Sequence, residues 1–421
     1  MTHAPVDNRR NLAVVKALTY LMFAMFAMTT DSVGIVIPEV IKTFRLSLTA
    51  AGTFQYATMG GIALAALFLG QLADRLGRRP TIIVGLTLFA IACFLFAAGD
   101  TFLFFAILMG LSGVAIGIFK TGALALVGDI STSTTQHTTI MNWAEGFFSI
   151  GAIIGPAILV RLLASGTSWK WLYVIAGGVC VLLMMLALSV KYPNTATSMP
   201  TGDAGQRGTA GAMRNPYVLA FSLGVFLYVG VEAAVYVWMP TLLAGYQGSA
   251  TTVATYSISI FFLLRAVGRF LGAWLLSQLR WQTVLAVSSG SILLCFLFSV
   301  TGGVNWAVYL LPLSGIFMSV VYPTLNSKGI SCLPKAEHGA AAGVILFFTC
   351  ISAVFAPMAI GAVSDALGQI TYGFWLATLF AGLLFMGLLV NWWLNPTRAL
   401  LERLDVSEYQ HRPAQAITSL D

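Results

Sequence analysis

The sequence predicts an all-α membrane protein with twelve transmembrane helices in two pseudo-symmetric bundles of six. Hydrophobic residues make up 58% of the chain and charged residues only 9%, a composition well outside that of soluble domains. The apolar segments are continuous and long enough to cross a bilayer as helices, without the alternation that barrel strands show. The two halves of the chain also repeat each other, which indicates two related bundles.

Twelve apolar spans emerge when windows of about 19 residues are compared with turn and charge signals. In chain order they cover residues 14–38, 51–73, 80–98, 102–128, 140–162, 170–190, 216–243, 253–276, 283–301, 306–331, 340–363 and 371–394. We number these spans 1 to 12, and we expect the lipid bilayer to surround them.

The distribution of Lys and Arg predicts the orientation of the spans. If the residues before span 1 are cytoplasmic, the outer loops hold few cations, namely Lys42, Arg45, Arg161 and Lys170. Most other cations then lie in inner loops and tails, as the positive-inside rule requires. We therefore expect a multi-pass protein of the cytoplasmic (inner) membrane, with both termini cytoplasmic.

A polar stretch divides the chain into two halves. Residues 191–215 are rich in Gly, Thr and Pro, as is typical of a flexible cytoplasmic linker. The predicted domains are an N-terminal six-helix bundle (1–190), this linker, a C-terminal six-helix bundle (216–394) and a cytoplasmic tail (395–421). A single chain that carries two bundles needs no second copy, so we expect a monomer.

Short identical segments recur in the two halves at an offset of 202 residues. Phe68-Leu69-Gly70 recurs as Phe270-Leu271-Gly272, and Leu111-Ser112-Gly113 recurs as Leu313-Ser314-Gly315. Two parallel repeats related by an axis along the membrane normal form a transporter architecture, with the substrate site near the bilayer midplane. The sequence therefore favours a transporter.

The inner loop after span 2 contains a specific motif. The stretch GQLADRLGRRP (70–80) combines Gly70, Asp74 and the cations Arg75 and Arg78. It resembles the loop signature of the major facilitator superfamily; the alternative is that the arginines only set topology. We expect Gly70 to allow close helix approach, Asp74 to face a helix N-terminus, and Arg78 to reach Asp129 in a cytoplasmic gate latch.

Four further segments resemble the fucose and glucose/galactose proton-symporter branch of that superfamily. They are MNWAEGFFSIGAIIGP (141–156), FLYVGVEAAVYVW (226–238), GRFLGAWLLSQL (268–279) and SGIFMSVVYPTLNSKGI (314–330). In that branch, an aspartate in span 1 and a glutamate in span 4 serve proton coupling and sugar binding. Asp31 matches the first position. The span 4 position departs from the pattern, because it most plausibly corresponds to Lys120.

Charges inside the spans need compensation, since a lone lysine at mid-bilayer costs about 2.5–3.5 kcal/mol on insertion scales. We expect Asp31 and Lys120 to pair, because spans 1 and 4 both line the central cavity in this architecture. Asp31 and Glu232 are the predicted proton-coupling carboxylates. Lys120 is predicted to bind an anionic substrate group, or alternatively only to stabilise the bundle as the counter-ion of Asp31. Arg269, near the inner end of span 8, is expected to extend its charge to the interface.

Helical spacing indicates which other side chains face the cavity, where aromatic faces and carboxamides suit sugar rings. The predicted substrate-binding residues are Lys120, Asn142, Glu145, Tyr228, Glu232, Tyr236, Arg265, Tyr322 and Asn326. For the tyrosines, ordinary helix packing is the alternative. For Glu145, the alternative is a gate or interface carboxylate. Gly113, Gly117 and Thr121 are expected to be packing contacts.

These patterns predict a proton-coupled symporter that takes up a sugar or a neutral or anionic sugar derivative by alternating access. The alternatives are a proton-coupled exporter of drug-like amphiphiles and a transporter-derived membrane sensor. An enzyme is not expected, because no catalytic or metal-binding set shares one depth in the spans. We expect no cofactor, no metal and no nucleic-acid partner; the predicted partners are a small-molecule substrate, protons and lipid.

Overall fold

The computed structural model describes residues 4–45, 53–193, 208–244 and 246–410, with only the backbone described for 4–10, 37–38 and 410. Most of the predicted linker (194–207) and the end of the predicted tail (411–421) lie outside the described residues. The described chain is built from α-helices joined by short turns.

The helices are α1 (Ala4–Thr30), α2 (Val33–Phe44), α3 (Thr53–Leu69), α4 (Leu72–Arg75), α5 (Arg78–Leu95), α6 (Phe102–Asp129), α7 (Thr134–Ala164), α8 (Lys170–Ser189), α9 (Gly208–Arg214), α10 (Pro216–Ala233), α11 (Met239–Leu243), α12 (Thr251–Thr255), α13 (Ser257–Gln278), α14 (Trp281–Thr301), α15 (Val304–Met318), α16 (Val321–Ile330), α17 (His338–Leu367), α18 (Ile370–Leu394) and α19 (Arg398–Leu404). A π-helical segment, Ala234–Trp238, joins α10 to α11, and a second one, Asp405–Gln410, follows α19. A 3₁₀ turn, Lys335–Glu337, precedes α17.

Within the described residues, eleven helical segments are long and apolar enough to cross a membrane. The shorter apolar helix α3 supplies the remaining span, so the prediction of twelve spans in an all-α membrane protein is confirmed. Spans 1, 7 and 10 each consist of more than one helical segment.

The chain forms two compact units. Unit 1 comprises Met1–Ile130, Phe147–Arg214 and Leu333–Phe347, and unit 2 comprises Ser131–Gly146, Asn215–Cys332 and Phe348–Asp421. The first part of span 5 thus belongs with the second half of the chain, and the first part of span 11 belongs with the first half. The division at the linker that the sequence suggests stays a proposal.

Small residues let helices approach closely in unit 1. α6 packs against α3 and α5. A Cβ atom added to Gly113 would collide with the carbonyl oxygen of Thr58, and one added to Gly117 would lie 2.9 Å from the carbonyl oxygen of Ile62. These glycines are packing contacts, as the sequence predicts.

Unit 2 repeats this contact. α15 packs against α13 and α14. A Cβ atom on Gly315 would lie 2.5 Å from the carbonyl oxygen of Phe261, and one on Gly268 would lie 2.8 Å from that of Ile316. Gly315 falls on Gly113 at the 202-residue offset. The sequence repeat is therefore also a repeat of helix packing.

Spans 1, 7 and 10 depart from regular α-helix well inside their length. Span 1 is interrupted at Asp31-Ser32, between α1 and α2, and span 10 at Ser319-Val320, between α15 and α16. Span 7 widens into the π-helical segment Ala234–Trp238. Such interruptions expose backbone groups and are common at functional sites.

Candidate functional site

A buried carboxylate on span 7 forms the centre of a polar cluster in unit 2. The Tyr228 hydroxyl donates a hydrogen bond of 2.7 Å to Glu232 Oε1, one helical turn further along α10. Arg265 Nη1, on α13, lies 2.9 Å from the same oxygen. The side chains of Arg265 and Glu232 are 13% and 10% exposed, so this ion pair is largely removed from solvent. Two donors therefore engage the same carboxylate oxygen of Glu232.

A second ion pair lies one turn along α13. Arg269 Nη1 donates to the Glu145 carbonyl oxygen at 2.6 Å, and Arg269 Nη2 lies 3.3 Å from Glu145 Oε2. The side chain of Arg269 is 1% exposed. The expectation that Arg269 extends to the interface is wrong, because Glu145 on α7 supplies a buried counter-charge. The sequence did carry a signal that Arg269 faces the interior. Arg269 lies four residues after Arg265, and residues at this spacing share a helix face.

Aromatic and amide side chains of the same unit are also buried. The rings of Tyr228 and Tyr322 lie 6.2 Å apart between centroids. The Tyr322 hydroxyl forms a hydrogen bond with the side chain of Thr349. Asn326 is buried on α16, and Asn142 Nδ2 donates to the Thr138 carbonyl oxygen at 2.9 Å. The structure thus brings the predicted polar residues of spans 5, 7, 8 and 10 into one unit.

Tyr236 differs from Tyr228 and Glu232 in its surroundings. It lies inside the π-helical segment Ala234–Trp238 and is half-buried, whereas the other two are buried. A spacing of four residues predicts a shared face only in a regular α-helix. The wider π turn shifts the register after Glu232, and the sequence carries no simple signal for it.

Lys120 lies in unit 1, on α6. Its ammonium is 4.7 Å from the ring centroid of Phe148 and 6.0 Å from that of Phe23. Aromatic faces stabilise a cation by about 0.5–2 kcal/mol, depending on how fully it is desolvated. These rings therefore offset part of the cost of placing the charge in an apolar span. The predicted pairing with Asp31 stays a prediction.

Asp31 lies at the interruption of span 1 and is exposed. The Thr30 hydroxyl donates to Asp31 Oδ2 at 2.8 Å. At the 202-residue offset, Asp31 falls on Ala233, directly beside Glu232 and at the start of the π-helical segment. Glu232 itself lies at the end of α10, one residue before the position that corresponds to Asp31. Lys120 likewise falls on Tyr322.

A dense ionic cluster in unit 1 joins the motif loop to the start of α17. Arg78 lies 2.6 Å from Asp74 Oδ1 through Nη1 and 2.8 Å from Asp129 Oδ2 through Nε. Its Nη2 atom donates to the carbonyl oxygen of Lys335 at 2.5 Å. Arg78 thus makes the contact with Asp129 that the sequence predicts. Arg75 is exposed.

Asp74 caps the N-terminus of α17. The backbone N–H groups of Gly339 and Ala340 donate to its two carboxylate oxygens at 2.9 and 2.8 Å. Burial raises the pKa of Asp74, while the charge of Arg78 and these two amides act in the opposite direction. The carboxylate therefore depends on these donors for its charge.

Gly70 permits this arrangement. A Cβ atom at Gly70 would lie 3.0 Å from the Cα atom of Gly343 and 3.3 Å from the carbonyl oxygen of Gly339. A side chain at this position would push the start of α17 away from the loop. Glycines on both sides allow the backbones to meet.

Within the described residues, no group of three or more His, Cys, Asp or Glu side chains is arranged to hold a metal ion. The titratable groups of the candidate site are instead carboxylates beside arginines, tyrosines and a lysine. Such a set binds polar or charged small molecules and protons.

Comparison with known proteins identifies the family. The family model of the Major Facilitator Superfamily matches residues 19–357. The chain belongs to this superfamily. The match extends from span 1 into span 11 and includes the motif loop, the ionic cluster around Arg78 and the polar cluster around Glu232.

Two relatives of this superfamily member, from two organisms, are sugar transporters by name. The chain is 25% identical over 387 residues to a glucose/galactose transporter of Brucella abortus, covering 87% of this chain and 91% of that protein. It is 26% identical over 401 residues to the L-fucose-proton symporter of Escherichia coli strain K12, covering 86% and 89%. The crystal structure of the transporter FucP in the outward conformation matches with a TM-score of 0.76 at 22% identity, covering 90% of this chain and 98% of that one.

Proposed function

We propose that this superfamily member is a proton-coupled symporter that takes up a sugar or sugar derivative bearing an anionic group. Its fold and family are those of secondary active transporters, and two relatives are named as sugar transporters. The observation that carries the proposal is the buried Glu232 carboxylate, held between the Tyr228 hydroxyl and Arg265. Buried ionisable groups within spans are commonly functional.

Proton coupling requires a carboxylate whose proton affinity changes during transport. A carboxylate that loses its cationic partner in an apolar site binds a proton more tightly, because the charged form is no longer stabilised. Glu232 meets this requirement if substrate or helix motion draws Arg265 away. Asp31, at the interruption of span 1, is the second proposed coupling group.

The anionic preference rests on Lys120. Its described contacts are aromatic rings, which stabilise a cation without neutralising it. A carboxylate or other anionic group on the substrate would supply the missing counter-charge. The tyrosine and amide side chains of unit 2 suit the apolar faces and hydroxyl edges of a sugar ring.

A thermal-shift screen of the purified protein tests this proposal. Neutral sugars, sugar acids and amphiphilic drugs are compared at two pH values, since a ligand that binds the folded state raises its apparent stability. We expect sugar acids to raise the unfolding midpoint most. Uptake of each hit is then measured in proteoliposomes with and without an inward proton gradient. A response to amphiphilic drugs alone would instead support an exporter.

The location and assembly of the protein form part of the proposal. The positive-inside pattern supports an inner-membrane protein whose inner loops and tails are cytoplasmic. Both bundles lie on one chain, which supports a monomer. Sugar, protons and lipid are then its partners, with no enzymatic reaction and no nucleic acid involved.

A further inference from the structure

A polar cavity lies in unit 2, apart from the polar cluster around Glu232. Its volume is about 470 Å³. The turn between α13 and α14, the start of α7, the end of α16 and the C-terminal segment around α19 form its walls. Five charged side chains line it: Arg280, Lys328, Arg398, Glu402 and Asp405.

The two acidic groups are already engaged. Arg398 Nε lies 2.8 Å from Glu402 Oε1. Both carboxylate oxygens of Asp405 accept hydrogen bonds from Thr134, one from its backbone N–H at 2.7 Å and one from its hydroxyl at 3.0 Å. Glu402 thus pairs within α19, whereas Asp405 connects the C-terminal segment to the start of α7.

Lys328 is the most deeply buried cation in the cavity. It is 2% exposed, and its ammonium donates to the carbonyl oxygen of Thr134 at 3.1 Å. The ring of Trp281 lies 5.6 Å from the same ammonium. The charge of Asp405 also stabilises this ammonium, although among the described residues neither Lys328 nor Arg280 forms an ion pair. Burying the ammonium remains costly, and an anion in direct contact with it would offset that cost.

We propose that this cavity binds a phosphate group, carried either by a soluble cytoplasmic metabolite or by an anionic phospholipid. Arg280 and Lys328 supply the charge, since guanidinium and ammonium groups are the usual protein partners of phosphate. Gln278 and Gln282 line the same cavity and add amide groups. Its volume accommodates a phosphate with a small organic substituent.

Occupancy of the cavity would connect further elements around it. Gln282 Nε2 donates to Asn395 Oδ1 at 3.0 Å, and Thr134 binds Asp405. A phosphate between Arg280 and Lys328 would add a connection between the turn after α13 and the end of α16. The site is separate from the proposed substrate residues and does not depend on the identity of the transported sugar.

Two binding arms distinguish the sources of the phosphate. In detergent, the unfolding midpoint of the full chain is measured against inorganic phosphate and glycerol 3-phosphate. In nanodiscs, it is compared between phosphatidylglycerol and phosphatidylcholine. A shift with the soluble phosphates identifies a metabolite site, and a shift with phosphatidylglycerol alone identifies a lipid site. Absence of a shift in both arms overturns the proposal.

Variants locate the site. R280Q and K328Q should weaken the apparent affinity by about tenfold or more, the usual loss when a charged hydrogen-bond partner is removed. R403Q is the matched control, because Arg403 is exposed on α19 but does not line the cavity. If K328Q fails to fold, R280Q still tests the site, because Arg280 is exposed and its replacement leaves no buried defect. An equal response of R280Q, R403Q and the unaltered protein contradicts the site.

Discussion

Ionisable residues within the spans differ in how their charge is compensated. Glu232 and Glu145 each face an arginine of α13, Lys120 faces two aromatic rings, and Asp31 is exposed where its span is interrupted. Exposed or weakly compensated groups exchange partners at lower cost than buried ion pairs. We therefore expect Asp31 and Lys120 to exchange partners more readily than Glu232 and Glu145.

Replacing Lys120 by glutamine should distinguish anionic from neutral ligands. We expect K120Q to weaken binding of a sugar acid by about 1.5–3 kcal/mol, because a charged hydrogen bond is lost, and to change binding of the neutral analogue little. Titration calorimetry on the purified protein measures both. K170Q is the matched control, since Lys170 also lies over a ring, that of Phe105 at 4.9 Å. Equal losses for both ligands would make Lys120 only a structural cation.

Asp31 and Glu232 can be separated by transport assays. D31N should abolish accumulation driven by a proton gradient but preserve counterflow exchange, because the amide cannot carry the proton while the binding residues remain. Proteoliposome uptake measures both modes. E39Q serves as the control, since Glu39 lies on α2 just after span 1 and pairs with Lys42. Full proton-driven uptake by D31N would assign coupling to Glu232 alone.

Arg269 should matter mainly for stability. R269Q removes the guanidinium that faces the buried Glu145 carboxylate, and we expect a loss of about 3–5 kcal/mol, as for other broken buried pairs. The double variant R269M/E145L should recover much of this loss, because no buried charge remains. Thermal unfolding in detergent measures the stability of the unaltered protein and of both variants. A double variant less stable than R269Q would show that the pair itself is needed.

At the scale of elements, the loop after α3 and the start of α17 form one ionic assembly. Asp74 caps α17, Arg78 joins Asp74 to Asp129, and Gly70 allows the backbones to approach. Each contact requires the others, since the buried carboxylates need the guanidinium and the guanidinium needs the close approach. The proposed latch is therefore expected to open as a unit.

Crosslinking can follow this opening. Cysteines at Leu76 and Ala336, both exposed, are joined with a flexible bismaleimide in the presence and absence of substrate. We expect the yield to change with substrate and to fall in R78Q, because that variant removes the shared partner of Asp74 and Asp129. R79Q is the control, since Arg79 binds the Leu188 carbonyl oxygen instead. Equal yields in every condition would exclude gating at this loop.

The whole molecule repeats one packing scheme twice but places different charges in each copy. Gly113 and Gly315 make corresponding close contacts, whereas Lys120 of the first copy corresponds to Tyr322 of the second. Packing constrains the small residues in both copies. Close helix packing does not fix the polar positions in the same way, and these differ between the two copies.

Membrane orientation is a property of the whole chain and can be measured by labelling. We expect a cysteine at Ser407 to react with a membrane-impermeant maleimide only after the cells are permeabilised. Ser407 lies in the C-terminal tail, which is predicted to be cytoplasmic. A cysteine at Asp100, whose side chain is 93% exposed, should react in intact cells. The five native cysteines are buried, so the protein without an added cysteine gives the background labelling. The reverse pattern would invert the predicted topology.

Apolar length and charge distribution determined the twelve spans, and spacing determined which small residues pack, because these properties follow from local sequence and the bilayer. Partner choice between distant segments required the tertiary structure. Arg269 pairs with Glu145 across 124 residues, and Lys328, near the end of span 10, is buried beside Thr134. The energy of a buried charge depends on which side chains the fold brings near it, and one sequence does not specify those neighbours.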